Sequence, residues 1–588
     1  MIKNTKARYL KHHLDDRLPA KTLWKRIKNL GAGKEQLSAD SDFDSNEVNR
    51  MFLASYTNSA PRVTPRRCMA EVSPHSFSFH PVQDWEVVNA LWEIRSNATG
   101  LDELPICFLK LVLPLVLEKI TYIFNTLIAT ATFPTCWKQA KILPIRKKPH
   151  LNTLTNLRPI SILCALSKVF EKLLKQQATT FISENHLLSD SQAGFRSGHS
   201  IKTATLRVYD DLAATMDKKG TAILLLLDFS KAFDTIPHHS LCSKLASKFN
   251  FSANAVSLIE SYLVGRTQIV FSGGQCSEVG EVTSGVPQGS VIGPLLFCCY
   301  INDLPTVLKW CSIQMYADDV QIYIKRYGPC ARELIRMINE DLARIANWSD
   351  RNELHVNQSK SKAIFIKGRR RNSIRTDSLS AIEMNGQTIE WVDKAANLGF
   401  VFQADLEWDG LVNQQCGKIY GCLRTLHSVA SAAPTYVRLK LFKALILPHF
   451  MFGDLLHVSP SANSMNQLQV ALNSCIRYVY GLNRYSRVSH LHKNLIGCPL
   501  KNFFAYRSCM FLWKLAKTQS PPTLFQRLVP CRSQRSQNFI IPANSMAGYA
   551  STLFVRGVVN WNMLPSTIKR SNSEASFKRG CLEFWNRR

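Results

Sequence analysis

The stretch Met315-Tyr-Ala-Asp-Asp-Val-Gln-Ile-Tyr323 constrains the fold more than any other in the chain. Ser312 to Met315 and Val320 to Ile324 are apolar and β-branched, which favours strands. Ala317, Asp318 and Asp319 lie between them, and Asp is a turn former. The pattern predicts a β-hairpin whose tip carries adjacent carboxylates. Successive strand side chains point to opposite faces, so a turn is where neighbouring aspartates can address one site. Two anions that close repel unless cations lie between them. Alone, such a tip is ordinary solvated turn chemistry.

A further carboxylate lies upstream. Ile223-Leu-Leu-Leu-Leu227 reads as a strand buried on both faces, and it ends at Asp228. A carboxylate at the end of a buried strand is costly unless paired, and a metal would pair it. Lys231 to Lys248 reads as turn and then helix, with Phe233 facing back over the same pocket. Between strand and hairpin stands Ser284-Gly-Val-Pro-Gln-Gly-Ser290, followed by Gly293-Pro294 and a helix through Tyr300. Gly285 and Gly289 would let the backbone approach a flat ligand, and Gln288 offers an amide. In isolation this is a Gly/Pro turn and no more.

The order of these pieces changes their meaning. A β-α-α-β-β palm would bring Asp228 to Asp318 and Asp319 on one sheet. Carboxylates so placed make an octahedral site for two Mg²⁺ ions, one activating a hydroxyl and one steadying a leaving pyrophosphate. Upstream, Trp137 to Lys148 is strand-like and ends in Arg146, Lys147 and Lys148; Leu157-Arg158-Pro159-Ile160 follows. Such cations suit phosphate recognition as well as they suit a solvated hairpin. With a triphosphate held there, the inference is template-directed nucleotidyl transfer.

Composition agrees. The net charge of +30 over 588 residues calls for a polyanionic partner, nucleic acid before an anionic membrane surface. From Gly410 to the end, 23 Lys and Arg face only Asp454, Glu574 and Glu583. That excess, interleaved with helical patterns at Tyr420–Ala432, Tyr436–Leu447, Leu468–Tyr480 and Phe503–Leu515, predicts a helical region tracking a nucleic-acid backbone. So few acids exclude a ribonuclease H there. The cysteines form no CxxC pair and read as free thiols of a reducing compartment. Leu104 to Phe133 is greasy but broken by Lys110, Glu118 and Lys119, so no membrane span is expected. Residues 1 to about 80 read as a basic arm and a polar linker, Ser38–Asn49 acidic and Ser59–Ser78 rich in Pro and Ser. The run Lys21–Lys34 reads as a solvated helix face rather than a nuclear signal. Helices are predicted from Val82, over Ile106–Ala129 and over Ser167–Thr179.

Three blocks closely resemble the reverse transcriptases of non-LTR (LINE-type), jockey-like retrotransposons: Leu227-Asp-Phe-Ser-Lys-Ala-Phe-Asp-Thr-Ile-Pro-His238, Gly285–Phe297 and Tyr316-Ala-Asp-Asp319. Thr99–Glu103, Trp137–Lys148 with Arg158–Ile160, Gln192–Ser200, Asn357–Lys360, Asn397–Phe400 and Gly557–Pro565 resemble further family blocks in the family's order. The resemblance implies an α/β fold with an α+β palm, a right-hand polymerase of fingers, palm and helical thumb plus a basic helical C-terminal region. Its divisions would be an N-terminal arm and linker (1–84), an extension of the fingers (85–127), fingers and palm (128–403) and thumb with basic C-terminal region (404–588). It implies an RNA-directed DNA polymerase using two Mg²⁺ ions, or Mn²⁺, on an RNA template, a DNA primer or target site and dNTPs, without a membrane, in nucleus and cytoplasm. The family's roles would put the metals on Asp228, Asp318, Asp319 and the Phe229 carbonyl, and the triphosphate on Lys147 and Arg158. Phe233 would face the sugar 2′ position, Gln288 and Gly289 would shape the nucleotide pocket, and Lys360 would protonate pyrophosphate. Leu398-Gly399 would grip the primer. Arg146 departs from the family, where an apolar residue or Pro is usual, which leaves the choice among Arg146, Lys147 and Lys148 open. Relatives carry an endonuclease before the polymerase; here only a basic arm precedes it, as in an element that lost that half or a partial gene. The rival expectation is a decayed copy that binds RNA without catalysis.

Overall fold

The computed structural model describes residues 43–56, 76–147, 151–327, 331–367, 379–430, 433–456, 458–532 and 535–588, with Pro19 and Thr22. Lys148, most of the expected basic arm and the stretch 57–75 lie outside the described residues. The strands are β1 (Gln139–Arg146), β2 (Leu157–Ile162), β3 (Gly220–Leu227), β4 (Arg266–Ser272), β5 (Gln275–Cys276), β6 (Gly280–Val282), β7 (Ser312–Tyr316), β8 (Asp319–Tyr327), β9 (Lys362–Ile366), β10 (Ile382–Met384), β11 (Gln387–Trp391), β12 (Lys394–Asn397) and β13 (Phe400–Gln403).

They make a six-stranded sheet in the order β10-β11-β9-β3-β8-β7, a smaller sheet β2-β1-β4-β5 with β6 on β4, and the hairpin β12-β13. β3 lies in the interior of the large sheet, antiparallel to both β8 and β9. All eight of its residues are buried, as its unbroken apolar run requires. Ile223, Leu225 and Leu227 face a core built with the helices Ile106–Ala129, Ala165–Glu184, His238–Phe249, Ala253–Leu263 and Ala331–Arg351. Ala222, Leu224 and Leu226 face the other way, onto Val208, Leu212 and Met216 of the helix Ile201–Asp217. That helix also gives Leu206, Tyr209 and Ala213 to a third core, made otherwise by the C-terminal region. It is the strut between sheet and tail.

Several expectations change. Ser45–Leu53, within the stretch read as arm and linker, is a helix whose Val48 and Phe52 are buried against Ala140, Ile142 and Val270. Two apolar residues four apart seat a short helix even in a polar stretch. Phe77 and Phe79, read as linker or beside it, are also buried in the main core. The helix expected over Ser167–Thr179 runs from Ala165 to Glu184. The helix after Asp228 starts only at His238, so Phe233 lies in the preceding turn. Ile106–Ala129 is helical as expected. Among the described residues every cysteine is free, and no helix is long and apolar enough to cross a membrane.

Candidate active site

β3 and β8 pair down to Leu227 opposite Val320, which sets Asp228 beside Asp319. β7 and β8 pair down to Tyr316 opposite Asp319, leaving Ala317 and Asp318 as the turn. Ala317 has φ +55°, the left-handed first position that glycine usually fills in a two-residue hairpin. Gln192, wholly buried, holds it there by accepting the Ala317 N–H at 3.0 Å.

The three carboxylates oppose one another's charge. Burial raises the Asp318 carboxyl and Asp228 adds to it. Burial, then Asp318 and Asp228, push Asp319 up to about 6. Arg158 works against both shifts. Hard oxygen donors in mutual repulsion suit a divalent cation. Among the described residues, however, no three His, Cys, Asp or Glu side chains form a group that could hold one ion. The octahedral site expected from the sequence is therefore not closed in this conformation. Asp228 also departs from expectation, its side chain being 45% exposed. Water solvates it, so burial does not by itself demand a metal there.

The flanking blocks hold these groups in place. Asn357 N–H donates to the Asp228 carbonyl at 2.7 Å, and Ser230 N–H to that of His355 at 2.8 Å. Phe229 stands opposite Val356 in this bridge, so its own carbonyl is directed away from that partner strand. The Asn357 side chain accepts from Lys360 N–H at 3.2 Å and so shapes the turn that presents Lys360. Lys360 Nζ lies 3.6 Å from Asp228 Oδ2, an exposed pair worth less than about 1 kcal/mol. Lys360 is thus the counter-ion of Asp228 here.

Partial burial lowers the Lys147 ammonium, and the neighbouring Lys360, Arg158 and Lys231 lower it further. These cations share one region with the carboxylates. Arg146, on the alternate face of the strand, instead donates to Asn152 at 3.1 Å. That separates Arg146 from Lys147.

The glycine loop folds against protein. Gly285 (φ +79°) lies so near the Phe233 and Asp234 carbonyls that a Cβ would strike them, and Gly289 (φ +126°) is as near to Ser161 O. Both glycines are thus required by close backbone neighbours within the protein. Ser161 N–H donates to the Gln288 carbonyl at 2.8 Å, tying the loop to β2. The Gln288 amide donates to buried Asp234 at 2.8 Å. Phe233 is half-buried and stacks on Phe297, ring centres 4.3 Å apart. Leu398 (φ +52°) and Gly399 (φ +79°) turn β12 into β13, and Asn397 beside them donates to Asp319 at 3.3 Å.

Gln192, Lys231, Asp234 and Asn397 went unnoticed as individual residues. Each lies inside a block that the sequence marks, but the contacts that give it a role span tens of residues or more.

Residues 145–402 match the family described as reverse transcriptase (RNA-dependent DNA polymerase). The chain is 26% identical over 475 residues to the probable RNA-directed DNA polymerase from transposon BS of Drosophila melanogaster, covering 78% of this chain and 51% of that protein. It is 26% identical to the corresponding protein of the X-element, covering 71% of this chain and 46% of the relative, and 24% identical, over the same shares, to the polymerase from mobile element jockey, both of that fly. The chain spans about half the length of these curated relatives. An apo telomerase from Candida Tropicalis overlays with 11% identity and TM-score 0.35, over 70% of this chain and 73% of that one, too loose a likeness to carry weight. Residues 145–402 thus match a reverse transcriptase domain, and over 71–78% of its length the chain is similar to RNA-directed DNA polymerases of the transposon BS, X-element and jockey mobile elements.

Proposed function

We propose that this chain is an RNA-directed DNA polymerase of a non-LTR retrotransposon, extending a DNA primer or cut target on an RNA template with dNTPs. The observation that carries this reading is the strand register that sets Asp228 beside Asp319, with Lys147, Arg158 and Lys360 around them. On this reading the large sheet is the palm and the β1-β2-β4 sheet belongs to the fingers, with residues 85–127 as their extension. Residues 404–588 are thumb and basic C-terminal region.

Asp228, Asp318, Asp319 and the Phe229 carbonyl would hold two Mg²⁺ ions, or Mn²⁺; their oxygen donors and mutual repulsion fit such cations. Bound there, the ions would supply a lowered pKa at the primer 3′-hydroxyl and charge neutralisation at the pyrophosphate. The chain's own residues do the rest. Lys147 and Arg158 hold the triphosphate. Lys360, released from Asp228, hands a proton to pyrophosphate. Gln288, fixed by Asp234, and Gly289 shape the nucleotide pocket, and Leu398-Gly399 hold the primer. Phe233 leaves room at the sugar 2′ carbon for hydrogen and not for hydroxyl.

Primer extension by the purified chain on poly-rA and poly-dA templates tests the reading. Extension on poly-rA supports it; extension confined to poly-dA overturns it. Phe233→Val tests sugar choice through the ratio of kcat/KM for dGTP and GTP. A fall in that ratio supports the steric role, whereas an unchanged ratio leaves Phe233 as an anchor of the turn through Phe297.

A further inference from the structure

Glu171 is wholly buried, and the chemistry above makes no use of it. It lies on the helix Ala165–Glu184, most of whose buried residues are apolar. Taking a carboxylate out of water is expensive unless donors replace the water, and an apolar side chain of similar volume often serves a core as well. A carboxylate in such a place asks what it holds.

Its donors come from the far end of the glycine loop. Glu171 Oε2 accepts from Val291 N–H at 2.7 Å and from Ile292 N–H at 3.3 Å, 120 and 121 positions away. Its other oxygen accepts from the Ser167 hydroxyl at 2.9 Å. Val291 and Ile292 lead into the helix Gly293–Tyr300, and Ile292, its N-cap residue, has no polar side chain. The Ser290 hydroxyl takes the Gly293 N–H at 3.1 Å, and Glu171 takes the two before it. An anion is well placed there, because the first amides of a helix have no partner within it. Burial raises the Glu171 carboxyl, while the Arg266 charge and these donors oppose the rise.

The loop's other anchors lie on the side of the proposed chemistry. At its start Gly285 N–H donates to the Ile236 carbonyl at 2.8 Å, and Val286 N–H to that of Phe233 at 2.8 Å. At its middle Ser161 N–H holds the Gln288 carbonyl, and the Gln288 amide reaches Asp234. The cations facing Asp234 are Lys231 and Lys147, and Lys147 in turn neighbours Arg158 and Lys360. Gln288 therefore stands at the edge of the cation group around the carboxylates. Three residues further on, Glu171 ties the same loop to the main core. A short loop hung between two anchors takes its shape from both. We propose that Glu171 is a positioning residue: by seating Val291 and Ile292 it sets where Gln288 meets the incoming nucleotide. This rests on the polymerase reading for the identity of that ligand.

Two substitutions separate reach from charge. Glu171→Gln keeps an acceptor at the same reach and drops the charge. Glu171→Asp keeps the charge and withdraws it by one methylene from Val291 and Ile292. Extension on poly-rA with an oligo-dT primer and varied dTTP is normalised to active sites counted in a single-turnover burst. Asp is expected to raise the KM for dTTP about tenfold, with kcat and template–primer affinity within about twofold of the parent, and Gln, the conservative variant, to restore it. A carboxylate present only to offset Arg266 predicts the reverse: Gln lowers the melting temperature, Asp does not, and neither moves KM. A parental KM in the Asp variant would overturn the proposal, as would a KM in the Gln variant that rises as far. Should Asp lower stability, amide hydrogen exchange well below its melting temperature still decides. Exchange over residues 284–293 should quicken while that over 165–184 holds; an unchanged loop would overturn the proposal. If the parent extends nothing on any template, the polymerase reading fails, and the exchange result alone shows whether Glu171 seats the loop.

Discussion

Two groups of aspartates in this molecule differ in what faces their charge, although burial pushes one member of each, Asp319 and Asp210, up to about 6. Asp228, Asp318 and Asp319 are partly exposed at the neighbouring ends of β3 and β8 in the large sheet, each opposing its neighbours. Asp210, Asp211, Asp217 and Asp454 lie along the joint between the helix Ile201–Asp217 and the C-terminal region, and each is partnered. Asp454, wholly buried, accepts from Lys202 at 2.9 Å and Arg507 at 2.7 Å. Arg527 spans buried Asp210 and Asp211, the latter at 3.2 Å. Asp217 takes the backbone N–H groups of Ser545 at 2.9 Å and Met546 at 2.6 Å. Burial opposes the Asp211 charge, but Arg527, Lys325 and Tyr323 outweigh it and hold this carboxyl below its ordinary range. The same side chain therefore serves structure where its charge is matched, and is left free for a ligand where it is not.

Removing a charge from each group should separate them. Asp318→Asn is expected to cut primer extension by about a thousandfold or more, while RNA binding and melting temperature hold or improve. Extension at the parental rate would remove Asp318 from the site. Arg527→Ala leaves Asp210 buried and unpaired, with an expected loss of about 3–5 kcal/mol in urea unfolding. A loss below about 1 kcal/mol would mean that the joint is not held by matched charge.

The unmatched group was legible in the sequence and the matched one was not. An alternating or unbroken apolar pattern locates β3, β7 and β8, and the pleat then fixes where Asp228, Asp318 and Asp319 stand. Nothing local marks Asp210 for Arg527, 317 positions away. Gln192 is similar, since its bond to Ala317 crosses 125 positions. The helix Ser45–Leu53 was hidden because two of its four buried residues, Ser45 and Asn49, are polar and only Val48 and Phe52 carry an apolar signal. Asp228 shows the opposite error: a buried strand does not imply a buried residue just beyond its end. The cation count in the tail was likewise right in sign and too simple in meaning. Arg507 and Arg527 serve the joint, Arg438 donates to the Tyr478 carbonyl at 2.8 Å, and Lys569 is buried.

That division sharpens the expectation for nucleic-acid binding. Deleting residues 410–588 would strip a shared core from the helix Ile201–Asp217, so truncation cannot isolate the tail's charge. Arg484 and Arg487 are exposed on one loop and suit the purpose. Arg484→Gln with Arg487→Gln should lower the slope of log affinity against log salt by about 1.4 on single-stranded RNA, with unfolding free energy unchanged. An unchanged slope would place the binding surface elsewhere, while Arg507→Gln should instead lower stability.

The smallest expected effect concerns pH. Asp319 stands near 6 against an ordinary 3.8, because burial and then Asp318 and Asp228 oppose its charge. A carboxyl raised in the folded state binds its proton more tightly folded than unfolded. The stability it contributes is fully present below 3.8 and lost as pH rises through about 6. Mg²⁺ needs the deprotonated form, so proton and metal compete for it. Between pH 7.5 and 5.5 the apparent Mg²⁺ affinity should fall about fourfold, read as the rise in melting temperature along a Mg²⁺ titration at each pH. At the joint Asp211, held below its ordinary range, stays charged throughout this window, whereas burial pushes Asp210 up to about 6 despite Arg527. The titration of Asp210 shifts the melting temperature alike with and without Mg²⁺, and is removed by reading the Mg²⁺-dependent rise at each pH. Asp318→Asn removes the strongest charged neighbour and should bring Asp319 back down, flattening the pH dependence while weakening the metal. A parental affinity that does not vary with pH would mean that Asp319 is matched after all, and the contrast between the two groups of aspartates would lose its electrostatic basis.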